Sequence, residues 1–98
     1  MNRFSAMIVA VLSRPAMYTV AGAYGEVVAF LDGYFSGLSL GHADVASVSQ
    51  WAEFSTFLST RLGTPSSETF RTFQTIHGAE SLEELRKIYN EFQLREHP

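Results

Sequence analysis

The residues best suited to chemistry in this 98-residue chain are its three histidines, His42, His77 and His97. Imidazole is the side chain whose unperturbed charge change falls near neutral pH, so a histidine works as a general acid or base when a carboxylate or hydroxyl lies within reach. Local spacing supplies no such partner. His42 reads as a loop residue, His97 as part of the tail, and His77 as the end of a helix, where an imidazolium would suit the helix dipole. Glu80 is three residues after His77, but Gly78 interrupts the helix between them. The Glu-x-x-His ligand pair of di-iron bundles is absent, as are HExxH, GxSxG, GxGxxG and the P-loop. There is no cysteine, which excludes a disulfide scaffold, a thiolate zinc site, an iron–sulfur cluster and a cysteine nucleophile. The expectation is a protein that is not an enzyme and holds no metal or cofactor. The enzyme alternative requires a pocket in which His42 or His77 meets a carboxylate.

Charge points to binding of another kind. Seven Lys and Arg against ten Asp and Glu give a net charge of −3, which argues against neutralising nucleic-acid phosphates. Five of the ten acids, Glu80, Glu83, Glu84, Glu91 and Glu96, lie in the last nineteen residues, facing Arg86, Lys87 and Arg95. The pairs Glu83–Lys87 and Glu91–Arg95 have the favourable i, i+4 spacing. Glu80, Glu83, Glu84 and Glu91 are therefore the candidate contacts of an acidic surface that steers a basic protein partner. Asp32, Tyr34 and Trp51 are candidate anchors, because Trp and Tyr concentrate at the centres of interfaces.

The elements that position these residues are helices. Apolar residues make up 46% of the chain and charged residues 17%, as in a folded globule, and size scaling allows about 65% of the unfolded surface to be buried. Pro15, Gly41, Gly63 and Gly78 punctuate the sequence. The pattern predicts helices over 3–12, 21–39, 45–62, 66–77 and 82–94. Val27, Phe30, Leu31, Tyr34, Phe35 and Leu38 form the apolar stripe of the second. Asp44 is suited to cap the third helix, Thr64-Pro65 or Ser66 to open the fourth, and Ser81 with Glu84 to form a capping box on the fifth. No stretch shows strand alternation. The prediction is an all-α fold, a compact bundle of about five short helices forming one domain over residues 1–98.

Two features sit less comfortably in that plan. The opening, Met1 to Leu12, has one basic residue followed by an apolar run, as a short signal peptide does, but Ser13-Arg14-Pro15 is a poor cleavage context, so a first core helix is expected. No run approaches the twenty apolar residues of a membrane span, and without targeting signals the expected compartment is the cytoplasm. Within the second helix, Ala21, Gly25, Ala29, Gly33 and Gly37 recur every four residues. Glycine inside a helix costs about 1 kcal/mol relative to alanine, so the row needs a reason. Close internal packing is the expected one. A groove for a partner helix or for a second copy is the alternative.

The elements Arg14-Pro15-Ala16-Met17-Tyr18 and Phe30-Leu31-Asp32-Gly33-Tyr34, then Trp51 and a Glu-rich terminal helix, resemble a loose group of small bacterial proteins over about residues 14–93. They share an RPxMY element, an FLDGY-like element and an amphipathic C-terminal helix. The chain departs from the group at Ala16 and Thr19-Val20. The group looks like the immunity proteins of bacterial toxin systems. The resemblance implies a stoichiometric binder of a cognate toxin or other protein partner, with no catalytic residues to carry over. The alternative expectation is a helical regulator or adaptor acting as a homodimer through the small-residue row.

Overall fold

The structure, a computed structural model, describes residues 3–40 and 45–96, apart from the side chains of Ser39 and Glu96. The fold is all-α. Five helices of nine residues or more, α1 (Arg3–Ser13), α3 (Tyr24–Leu40), α4 (Val45–Leu62), α5 (Thr69–His77) and α6 (Ser81–Glu96), are joined by a one-turn helix α2 (Pro15–Tyr18). Two 3₁₀ turns, Ser66–Glu68 and Gly78–Glu80, complete the order, and no strand is present among the described residues. Gly41, His42 and Asp44, assigned above to a helix stop, a loop and a cap, lie outside the described residues, as does His97. The chain divides into two compact units, residues 1–52 and 53–98, with the boundary inside α4.

The first unit is built on aromatic and branched side chains at helical spacing. Phe4, Ile8, Val11 and Leu12 of α1 are buried, as are Tyr24, Val27, Leu31 and Phe35 of α3. The Phe35 ring centre lies 5.7 Å from that of Phe4 and 5.2 Å from that of Trp51, on which it stacks. Each fully buried aromatic or aliphatic side chain of this kind contributes about 1.5–3 kcal/mol. The Tyr24 phenol is pushed well above its ordinary pKa by desolvation.

The link between α1 and α3 is ordered by local hydrogen bonds. Pro15 occupies the first helical position of α2, where no amide donor is required. The Thr19 hydroxyl donates to the Pro15 carbonyl at 3.0 Å and accepts from the Gly22 amide at 2.8 Å, clasping the turn at both ends. Gly22 has φ +71°, and a Cβ there would meet the Ala16 backbone nitrogen at 3.2 Å, so both conformation and space require glycine. The Glu26 carboxylate then accepts from the amides of Ala21 at 3.0 Å and Ala23 at 3.2 Å, satisfying donors at the start of α3.

In the second unit Phe54 and Leu58 of α4, Phe73 of α5, and Leu85, Tyr89 and Phe92 of α6 are buried. The Phe54 ring meets Tyr89 edge-on at 5.7 Å and Phe92 at 5.3 Å. Two expected helix starts are corrected. Ser81 does not cap α6: the 3₁₀ turn runs directly into the helix, Ser81 has helical dihedrals, and its buried hydroxyl donates back to the Gly78 carbonyl at 2.7 Å. Pro65 is extended rather than helical, and a 3₁₀ turn separates it from α5. Thr69, fully buried, anchors that start by donating to the Pro65 carbonyl at 3.1 Å.

Candidate functional site

The seven residues expected to contact a partner fall in both units. Asp32, Tyr34 and Trp51 belong to the first. Trp51 is only 8% exposed, which corrects its assignment as a surface anchor. Its indole donates to the Asp32 carboxylate at 3.3 Å and its ring stacks on Phe35. Tyr34 is half-buried and stacks on Phe30, with ring centres 6.4 Å apart, and the Tyr18 ring reaches Phe30 at 5.7 Å. The motif residues are thus physically coupled: Tyr18 of RPAMY rests on Phe30 of FLDGY, and Asp32 of FLDGY holds Trp51.

The side of α3 opposite its buried stripe carries the small-residue row, and this overturns the expectation of internal packing. Gly25, Ala29, Gly33 and Gly37 are exposed, and a Cβ built on any of the three glycines meets nothing within 4 Å. Among the described side chains of the helix, the exposed residues are these four with Asp32, Ser36 and Leu40. One charge on a face that runs about 25 Å is unusual, since the solvent side of a surface helix is ordinarily polar and charged. Large apolar side chains are exposed before α3 and at its end: Met17 is 68% exposed, Val20 95% and Leu40 84%.

The second unit presents a different surface, a pocket of about 410 Å³. Arg61 and Leu62 come from the end of α4, Phe73 and His77 from successive turns of α5, and Glu84, Lys87, Ile88 and Glu91 from one face of α6. Two ion pairs edge it. Arg61 pairs with Glu91, and Lys87 Nζ lies 3.4 Å from Glu84 Oε1. Glu83 pairs with Arg86 at 3.6 Å, while Arg95 lies over the Phe57 ring at 5.4 Å. The ion pairs along α6 thus have i, i+3 spacing, and Glu91 is met by α4. The His77 ring packs on Phe73 with centres 4.3 Å apart.

Of the four expected glutamates, Glu84 and Glu91 line this pocket, and Glu80 and Glu83 are exposed outside it. Arg61, Phe73 and Ile88 were not foreseen as site residues. Their signal is long-range, because residues of α4, α5 and α6 meet there only in the folded chain. His77 shares the pocket with two carboxylates, each paired to a cation, and the lining offers no hydroxyl or thiol nucleophile. Charged groups stand at the rim with apolar side chains between them, an arrangement that suits the binding of a ligand, and His77 lies in the same pocket as the two carboxylates that the enzyme alternative requires. No group of three or more His, Asp or Glu suited to a metal ion occurs among the described residues. None of the helices searched is long and apolar enough to cross a membrane.

Comparison with family models, with curated proteins and with solved structures returns no match to this chain.

Proposed function

We propose that this chain acts by stoichiometric binding to a protein partner, as an immunity-type protein that neutralises a cognate bacterial toxin. The observation that carries the reading is the outward face of α3: seven exposed residues among the described side chains, one charge, and three glycines with open space above them. Contiguous exposed surface of low charge is one mark of protein–protein contact. A helix with no side chains along one ridge lets a partner's backbone come close, so the contact is decided by shape. The RPAMY and FLDGY elements support the same reading, since they build and brace this helix. The mechanism is occlusion: a preformed helical surface covers the toxin's active site or substrate channel. Glu80 and Glu83, exposed in the second unit, contribute long-range attraction to a basic partner.

The test is recovery of the tagged chain from its native cells with identification of what accompanies it. A single stoichiometric protein carrying a toxic domain, lost when the bait is Gly33→Leu, supports the reading. A toxin retained in full by Gly33→Leu places the contact elsewhere. The open space above Gly25, Gly33 and Gly37 also favours a second reading, a regulator that pairs with its own copy through α3. Light scattering distinguishes it. A concentrated wild-type monomer removes the homodimer, and a dimer that Gly33→Leu dissociates supports it.

A further inference from the structure

We infer that the pocket of the second unit is a binding site for an elongated zwitterion with an apolar middle, of the size of a short peptide with free termini. Its volume of about 410 Å³ falls within the range of small-molecule sites. Its two carboxylates, Glu84 and Glu91, are seven residues apart on α6, which places them about 10 Å apart along the helix. Between them the lining is apolar, with Ile88, Leu62 and the Phe73 ring.

Each end pairs a cation with a carboxylate, and the ends differ in the cation, the Arg61 guanidinium beside Glu91 and the Lys87 ammonium beside Glu84. At the Glu91 end, Arg61 lies over the Phe57 ring at 5.0 Å and Arg95 over the same ring at 5.4 Å, two guanidiniums against one aromatic ring. A ligand matching this field presents its anion to Arg61 and its cation to Glu84. Arg61 suits a carboxylate because its planar fork can donate two parallel hydrogen bonds. Both rim ion pairs are exposed, 41% and 47% for Arg61 and Glu91, and 64% and 30% for Lys87 and Glu84. Pairs this exposed are weak, so a ligand's charged groups can replace one partner at small cost. A fully extended tripeptide spans about 10 Å, the separation required.

The experiment is an amide NMR titration of the whole chain with trileucine bearing free termini, alongside its N-acetylated and C-amidated forms. The expected result is saturable shifts at Arg61, Leu62, Phe73, His77 and Ile88, with each blocked form binding about fivefold to tenfold more weakly. Arg61→Gln should abolish the preference for the free carboxylate and leave the preference for the free amine. Equal binding of all three peptides reduces the site to an apolar cleft and overturns the inference. So does the absence of saturable shifts at millimolar peptide. Neither result bears on the α3 face, so this inference and the toxin-binding reading fail separately.

Discussion

Residues 1–52 and residues 53–98 draw on similar apolar material, seven aromatic residues in the first and six in the second. Their charges differ: five charged residues in the first against twelve in the second, and five glycines against two. In the second unit three pairs of surface charges are matched, Arg61 with Glu91, Arg86 with Glu83 and Lys87 with Glu84. In the first, an exposed helix face carries almost no charge and three glycines that meet nothing. A matched polar surface is what a helix needs to stay in water. A bare one weakens the helix without any gain inside the unit. The lesson is that the unit with fewer charged groups carries the bare helix face, while the charged unit carries a pocket edged by ion pairs.

The comparison can be broken first at the two cores. Phe35→Ala and Phe54→Ala each remove a fully buried ring, and each should cost about 3–5 kcal/mol in urea denaturation. Trp51, the single tryptophan, reports on the first unit, while far-UV circular dichroism reports on all the helices. Because α4 runs unbroken through the boundary, the two signals should trace one coincident transition. Separated midpoints would mean that the units unfold independently and that 1–98 is not one cooperative domain.

Glycine substitutions sharpen the contrast within the first unit. Gly22→Ala forces a side chain into φ +71° against Ala16 and should lower stability by about 1–2 kcal/mol. Gly33→Ala meets open space inside a helix and should raise stability by about 0.5–1 kcal/mol. A loss of stability at Gly33 would show that the face is covered within the free chain. In the second unit, Arg61→Gln breaks an exposed pair and should change stability by less than about 1 kcal/mol, an effect that shrinks further in salt.

The last expected effect, absent at neutral pH, is a pH dependence. The Tyr24 phenol is held neutral by burial, so its pKa is higher in the folded chain than in the unfolded one. Below the ordinary tyrosine value of about 10 both states are protonated and Tyr24 adds no slope. Above it the unfolded chain ionises first, and stability falls with rising pH. Tyr24→Phe should flatten the alkaline limb of the stability curve relative to wild type, and an unchanged limb would show that Tyr24 does not drive it.

Much of the fold was legible in the sequence. The stripe from Val27 to Leu38 and the breaks at Pro15, Gly63 and Gly78 locate the helices, because apolar periodicity and backbone chemistry act locally. Termini were read less well. Ser81 and Glu84 have the spacing of a capping box, but the preceding 3₁₀ turn leaves Ser81 helical and takes its hydroxyl. The direction of the small-residue row was not legible, since alanine and glycine are tolerated both in a packed seam and in open solvent. Trp51 was misplaced for a related reason: a tryptophan serves a core or an interface, and only the Asp32 carboxylate and the Phe35 ring beside it decide between them. The pocket was hidden because Arg61 and Glu91, thirty residues apart, meet only in the folded chain.

The central claim is that the bare face of α3 is the contact surface. Its most direct test compares the mass of the complex formed by wild type with that formed by Gly33→Leu, together with the melting temperature of each free chain. The account predicts that Gly33→Leu melts no lower than wild type and forms no complex, whether the occupant is a toxin or a second copy. A Gly33→Leu chain that forms the full stoichiometric complex would contradict it.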